Sequence, residues 1–172
     1  MKIFSERKNQ ITISLNIIVF IFIIDLITKY LAVEHLKGKE ALSFLNNFFV
    51  LIYAENTGAF LGFGKDWNIY VKYIIFLVIP IILCIFVLLH LMFKEKLKHR
   101  IIIGSCIIGG GIGNLVDRLF NNFTVIDFMN FGIGNIRTGI LNFADLPVTF
   151  GIFALIIFEI ILDRKRKGNN KQ

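Results

Sequence analysis

Two carboxylates stand 18 residues apart in apolar, aromatic surroundings, one in Val125-Ile126-Asp127-Phe128 and one in Leu141-Asn142-Phe143-Ala144-Asp145-Leu146-Pro147. An acid set among Val, Ile and Phe loses hydration, and its pKa rises unless a cation or donor compensates. Two such acids brought together titrate as a coupled pair, so one stays protonated while the other is ionised near neutral pH. That division of labour suits hydrolysis at a carbonyl: the carboxylate takes a proton from water and the carboxylic acid polarises the carbonyl. Asp145 also reads as a helix N-cap, with Pro147 in the first helical turn. Asp127 has no comparable structural role.

Other chemistries find little support. His35, His90 and His99 are scattered without ligand spacing, so no metal is expected, and no cofactor is implied. Cys84 and Cys106 both lie inside apolar runs and read as small hydrophobes. There is no Gly-x-Ser-x-Gly, and no lysine stands at membrane depth near Ser43 or Ser105 to activate either.

A second group of polar residues sits inside apolar runs. Asp25 and Lys29 are four apart and share a helix face, which predicts a local ion pair. Gly109-Gly110-Gly111-Ile112-Gly113 permits close helix–helix approach, and it leads directly into Asn114, Asp117 and Arg118. Asn114 and Arg118 share a face and Asp117 adjoins it, an arrangement that scaffolds a polar site. A charge near the bilayer centre costs about 2.5–3.5 kcal/mol on insertion scales, so each of these needs a reason.

The elements that must position these groups follow from composition. The chain has 172 residues, 56% hydrophobic and 18% charged, with 19 Phe and only 2 Pro. Soluble domains are about 45–50% apolar and about 25% charged, so the excess apolar surface must face lipid. Runs at 11–33, 69–93 and 101–120 each reach the roughly 20 residues of a bilayer helix, and 146–162 lies near the lower limit. The first run is too long, and lacks a small-x-small site before Glu34, for a cleavable signal peptide. The expected fold is a single mainly α membrane domain with four transmembrane helices and a cytoplasmic tail over 163–172, disordered from about Arg164 onward.

Twelve of the 19 basic residues fall in the N-terminal segment, between the second and third spans, and in the tail. The regions 34–68 and 121–145 hold only Lys37, Lys39, Lys65 and Arg137. By the positive-inside rule both termini are cytoplasmic and those two regions lie outside. The formal net charge of +7 thus reports topology, and no nucleic-acid partner is expected. Ser43–Gly64 and Thr124–Phe143 are rich in aromatic and β-prone residues with Asn and Gly punctuation, which predicts a small extracytoplasmic β-sheet.

Five motifs then occur in order: Asp25-x-x-Thr28-Lys29, Asn56-x-Gly58-Ala59, Gly110-x-x-Gly113-Asn114-x-x-Asp117-Arg118, Val125-x-Asp127-Phe128 and Asn142-x-Ala144-Asp145. In this order and topology the chain resembles lipoprotein signal peptidase, the bacterial type II signal peptidase, over nearly its whole length. The resemblance implies an aspartic endopeptidase of the cytoplasmic (inner) membrane, with Asp127 and Asp145 as its catalytic pair near the outer face. It implies that Asn56, Gly58, Asn114, Arg118 and Asn142 line the site, supported by Asp25, Lys29 and Asp117, the last fixing Arg118. Its substrates would be diacylglyceryl-modified prolipoproteins met in membrane lipid, cut immediately N-terminal to the lipidated cysteine by a monomeric enzyme. Phe60 would help cover a bound peptide, and Glu55 stands where the family often has a basic residue. A proton relay would want acids spread through the bilayer, whereas these gather at one face, and a purely structural assembly factor leaves Asp127 unexplained.

Overall fold

The computed structural model describes residues 2–59 and 62–169. Four long helices run antiparallel in sequence order, with a small sheet inserted at one end. Helix α1 (Lys2–Leu36) leads into β1 (Leu42–Phe44) and β2 (Phe49–Asn56). The second long helix is built of α2 (Ile69–Tyr73), a π-helical turn over Ile74–Val78, and α3 (Ile79–Phe93). Helix α4 (Lys98–Phe120), strands β3 (Val125–Ile133) and β4 (Ile136–Arg137), and helix α5 (Asp145–Asn169) complete the chain. All four long helices have the length and hydropathy to cross a membrane.

Helix α4 is the hub. Of its apolar stretch 44% is buried inside the protein, against 17%, 17% and 6% for the other three. Those others turn side chains such as Phe20, Phe86 and Phe150 outward, as lipid-facing helices do. The glycines explain why α4 can sit centrally. A Cβ at Gly109 would come within 2.9 Å of the Ile21 Cβ and 3.0 Å of the Ile18 carbonyl oxygen on α1. A Cβ at Gly110 would run into the Ala144 carbonyl oxygen, and one at Gly113 into the Asp25 carboxylate. These glycines therefore do more than let two helices touch; they make room for a carboxylate and for the first turn of α5.

The sheet is antiparallel in the order β1-β2-β3-β4. Strands β2 and β3 pair from Phe49↔Phe131 to Asn56↔Val125, with a register irregularity between Leu51 and Ala54. Past that bulge Ala54 faces Asp127, so the last three pairs carry both Asn56 and Asp127. Bulges re-aim side chains in this way. On the other side of β3, the Phe128 and Met129 N–H groups both donate to the Leu141 carbonyl, which draws Asn142 up against the strand. Ala32 and Leu36 of α1 pack under Phe128 and Met129 and hold the sheet on the bundle.

One expectation is corrected, and one helix shows an irregularity. The segment from Arg164 is not a disordered tail: α5 continues to Asn169, its last turns carrying an Asp163–Lys167 pair at the helical i, i+4 spacing. The second long helix is not uniformly α, since the π turn precedes Pro80, which sits at the start of α3 where its missing N–H is tolerated. Glu159, an acid within the last apolar run, is answered by Arg100 of α4 at 2.5 Å.

The close approach at Gly110 sets a stability prediction. Gly110→Ala places a methyl against backbone and should cost about 1–3 kcal/mol, the usual penalty of overpacking. Gly111→Ala meets only the Cys84 Sγ at 3.3 Å and should be near neutral. Thermal unfolding of both variants in the same detergent is the measurement.

Candidate active site

The site is assembled from four elements. Asp127 comes from β3, Asn56 from the end of β2, Asn114 and Arg118 from the last turns of α4, and Asn142 and Asp145 from the entry to α5. They line one cavity of about 180 Å³ together with Ala59, Val125, Ile140 and Leu141.

Asn142 is the joint between the two acids. Its Nδ2 donates to the Asp127 Oδ1 at 2.7 Å and to the Asn114 Oδ1 at 2.9 Å. The Asn114 Nδ2 donates in turn to the Asp145 Oδ1 at 3.0 Å. The orientation of Asn114 is forced, because its Oδ1 also receives the Lys29 ammonium at 2.9 Å and an ammonium only donates. The amide face of Asn114 is thereby left for Asp145. Asn142 is fully buried and fully used.

The same two residues start the helix. The Asn142 Oδ1 accepts from the Asp145 backbone N–H at 3.1 Å, and the Asp145 Oδ2 accepts from the Asn142 N–H at 3.0 Å. This reciprocal pair three residues apart is a capping box. Asp145 is therefore not the cap expected from sequence; Asn142 is, and Asp145 is its return partner. One Asp145 oxygen is spent on that box, and the other takes the Asn114 bond and lines the cavity.

Asp127 is 3% exposed. Burial pushes its carboxyl up to about 6, against the pull of the Asn56 hydrogen bond and with the nearby Asp145 charge adding to the rise. Its Oδ2 accepts from the Asn56 Nδ2 at 3.0 Å. Asn56 is itself fixed, accepting the Gly58 N–H at 2.9 Å and donating to the Ala59 carbonyl at 3.2 Å.

Behind the cavity lies a buried charge cluster. The Lys29 ammonium meets Asp25 at 2.7 Å, Asp117 at 2.9 Å and Asn114 at 2.9 Å. The second Asp25 oxygen accepts the Ala144 N–H at 2.9 Å, so α1 holds the first turn of α5. The expected tie between Asp117 and Arg118 is not formed. Asp117 turns to Lys29 and to the Ile126 N–H at 3.3 Å, because adjacent helical positions point apart. Arg118 instead donates to the Gly58 carbonyl at 2.8 Å and the Asn114 carbonyl at 3.1 Å, with its guanidinium 5.9 Å from the Phe76 ring centre. Its Nε is buried with no partner among the described residues.

Comparison with known proteins bears on this geometry. The family model described as signal peptidase (SPase) II matches residues 17–161. The chain belongs to the signal peptidase II family. The lipoprotein signal peptidase of Borrelia hermsii (strain HS1 / DAH) is 42% identical over 156 residues, spanning 86% of this chain and 91% of that protein. That of Borreliella afzelii (strain PKo) is 38% identical over 157 residues, 86% and 92% of the two chains. A solved structure described as a bacterial membrane enzyme, obtained by the in meso method at 2.3 Å resolution, matches with a TM-score of 0.76 and 28% identity over 90% of each chain. Signal peptidase II proteins are proteases of aspartic type that process prolipoproteins by removing the signal peptide. With four apolar helices and these relatives, the chain is a multi-pass membrane protein.

All ten residues singled out from sequence fall in or directly behind this one site, while Phe60 lies outside the described residues. Glu55 is tied to Lys37 at 3.0 Å and to the Tyr53 hydroxyl at 2.7 Å. Sequence reasoning missed Lys72, which is 8% exposed and donates to the Thr57 Oγ1 at 3.4 Å beside the Asn56 turn. It also missed Phe76 beneath Arg118. A lysine in the opening turn of an otherwise apolar signal peptidase II span was the available signal for Lys72.

The charge cluster makes a double-mutant prediction. Lys29→Met strands two carboxylates and should cost about 3–5 kcal/mol, with part regained in Lys29→Met/Asp117→Asn. Arg118→Ala and Asp117→Asn should show little coupling, within about 0.5 kcal/mol of additivity. Thermal or denaturant unfolding of the single and double variants measures both terms.

Proposed function

We propose that this chain cleaves diacylglyceryl-modified prolipoproteins immediately N-terminal to the lipidated cysteine, with Asp127 and Asp145 as the catalytic pair. The observation that carries the reading is the convergence of two acids from different elements on one cavity, joined through Asn142 and Asn114. Asp127, desolvated and raised to about 6, is the member that holds the proton. Asp145 opens α5, where the helix N-terminus favours negative charge. The Asp145 carboxylate takes a proton from water as the oxygen attacks the scissile carbonyl. Asp127 gives its proton to that carbonyl oxygen; as the C–N bond breaks, Asp145 passes the water-derived proton to the leaving amine nitrogen and the gem-diol returns a proton to Asp127. The spare Arg118 Nε–H is a donor for the substrate backbone.

The charge distribution supports a topology with both termini in the cytoplasm and the sheet with its cavity at the outer face of the bacterial cytoplasmic membrane. A substrate held by two acyl chains is confined to the membrane plane, which raises its effective concentration beside the pair. The described residues of the site all come from one chain, which supports a monomer as the acting unit.

Asp127→Asn and Asp145→Asn should each abolish cleavage in a purified assay while the protein inserts and purifies normally; near-parental turnover by either removes that residue from the pair. The pH profile is a finer check. Because the Asp127 pKa is raised, its proton is held below about pH 6 and lost above it, so the singly protonated pair and the rate should decline on the basic side. Asn56→Ala removes a bond that favours the ionised form, so it should lower turnover and move that basic limb to higher pH.

Substrate chemistry gives a separate outcome. Precursor carrying the diacylglyceryl cysteine should be cut, and the same precursor with an unmodified cysteine should be cut poorly or not at all. Equal rates on the two would make the protein a general membrane protease.

A further inference from the structure

At the end of the bundle far from the acid pair, α3 gives way to α4 through a turn reading Lys94-Glu95-Lys96-Leu97. The turn is held from within and from α1. The Glu95 Oε1 accepts the Lys96 and Leu97 N–H groups, both at 2.8 Å, and its Oε2 lies 3.4 Å from Arg100 and 3.7 Å from His90. The Gln10 Nε2 donates to the Leu91 carbonyl at 2.6 Å and the Glu95 carbonyl at 2.9 Å, and Arg7 donates to the Phe93 carbonyl at 3.2 Å. Between these staples lies a cavity of about 430 Å³ walled by Arg7, Gln10 and residues 92–96.

The charge in that cavity is unbalanced. Arg7, Lys94 and Lys96 line it, and the one carboxylate among the described lining residues, Glu95, is already engaged by the turn and by Arg100. Neither Lys94 nor Lys96 makes an ion pair among the described residues. A second cavity of about 260 Å³ shares Gln10 and Lys96 with the first and runs on to Ile13, Ile101 and Ile102 between α1 and α4. Ile13 is 41% exposed and Ile102 is 37% exposed, so this groove has an apolar floor open from the side. A basic mouth that continues into an apolar groove has the polarity profile of one amphiphile.

We propose that this end of the bundle is a binding site for an anionic phospholipid. Its phosphate sits among Arg7, Lys94 and Lys96, and an acyl chain lies along Ile13, Ile101 and Ile102. Basic pockets between membrane helices suit such headgroups. A free phosphate ion would use the basic half alone and leave the apolar continuation without a role, which is why the occupant is a lipid. The bound lipid bridges α1 to the α3–α4 turn and reinforces the Gln10 and Arg7 staples.

The test uses the purified full chain in phosphatidylcholine nanodiscs, with phosphatidylglycerol added stepwise and retention read by native mass spectrometry after release. Phosphatidylglycerol should stay bound where phosphatidylcholine does not, and should raise the unfolding temperature. Arg7→Gln/Lys94→Gln/Lys96→Gln should weaken that retention about tenfold or more, while Arg164→Gln/Lys165→Gln/Lys167→Gln, which removes the same charge from the exposed end of α5, should retain lipid like the parent. If the first variant fails to fold, Lys94→Gln/Lys96→Gln serves, since no described bond of the turn uses those two side chains. Unchanged retention by the cavity variants overturns the site. Equal loss in the α5 variant reduces the effect to surface charge, and a matching thermal shift from inorganic phosphate alone assigns the site to a free anion; either outcome also overturns the proposal.

Discussion

One buried ammonium group holds the functional end of the molecule together. Lys29 is 3% exposed, and its three donors reach three acceptors on two helices: Asp25 beside it on α1, and Asp117 and Asn114 on α4. Such a group is costly to bury alone and tolerable only when every donor is met. Meeting them fixes α1 against α4 to within a hydrogen bond, turns the Asn114 amide toward Asp145, and aligns Asp25 to hold Ala144 at the start of α5. Three helices and one member of the acid pair are thus placed by a cation that never reaches the cavity.

The acid pair is asymmetric for reasons of backbone rather than of side chain. Asp127 hangs from β3, where its carboxyl is buried against the Asn56 and Asn142 amides. Asp145 stands in the first turn of a helix, where one oxygen is bound into a capping box and the other accepts the Asn114 amide. Two identical residues thus meet different surroundings, one carried by a strand and the other by the entry to a helix. The glycines of α4 belong to the same design: without the gaps at Gly110 and Gly113 neither the α5 entry nor Asp25 would fit.

Much of this was legible from residue order. Long apolar runs have few solutions in lipid, so four helices followed directly from hydropathy, and the Asn- and Gly-punctuated aromatic segments did become strands. The Asp25–Lys29 pair was readable because i, i+4 geometry is local. What escaped was decided by tertiary partners. Whether Asn142 or Asp145 caps α5 depends on which one also meets Asp127, a contact across the fold. The partner of Asp117 is set by where Lys29 of another helix comes to rest, and neighbouring positions 117 and 118 diverge by a third of a helical turn. The basic run after Arg164 looked like a free tail by charge alone, yet the helix continues because nothing in Arg164–Lys167 breaks it. The π turn at Ile74–Val78 lies in an apolar stretch whose one irregular residue is Pro80, just beyond it.

The outer strands of the sheet are short: β1 has three residues and β4 two. Strand β3 is further occupied on its β4 side, where Leu141 and Thr138 take backbone bonds with Met129 and Phe131. Little unpaired ladder is left for another extended chain to join, which guards against edge-to-edge aggregation and closes off the commonest way of gripping a peptide by its backbone. An extended polypeptide arriving here finds isolated side-chain donors instead of a template.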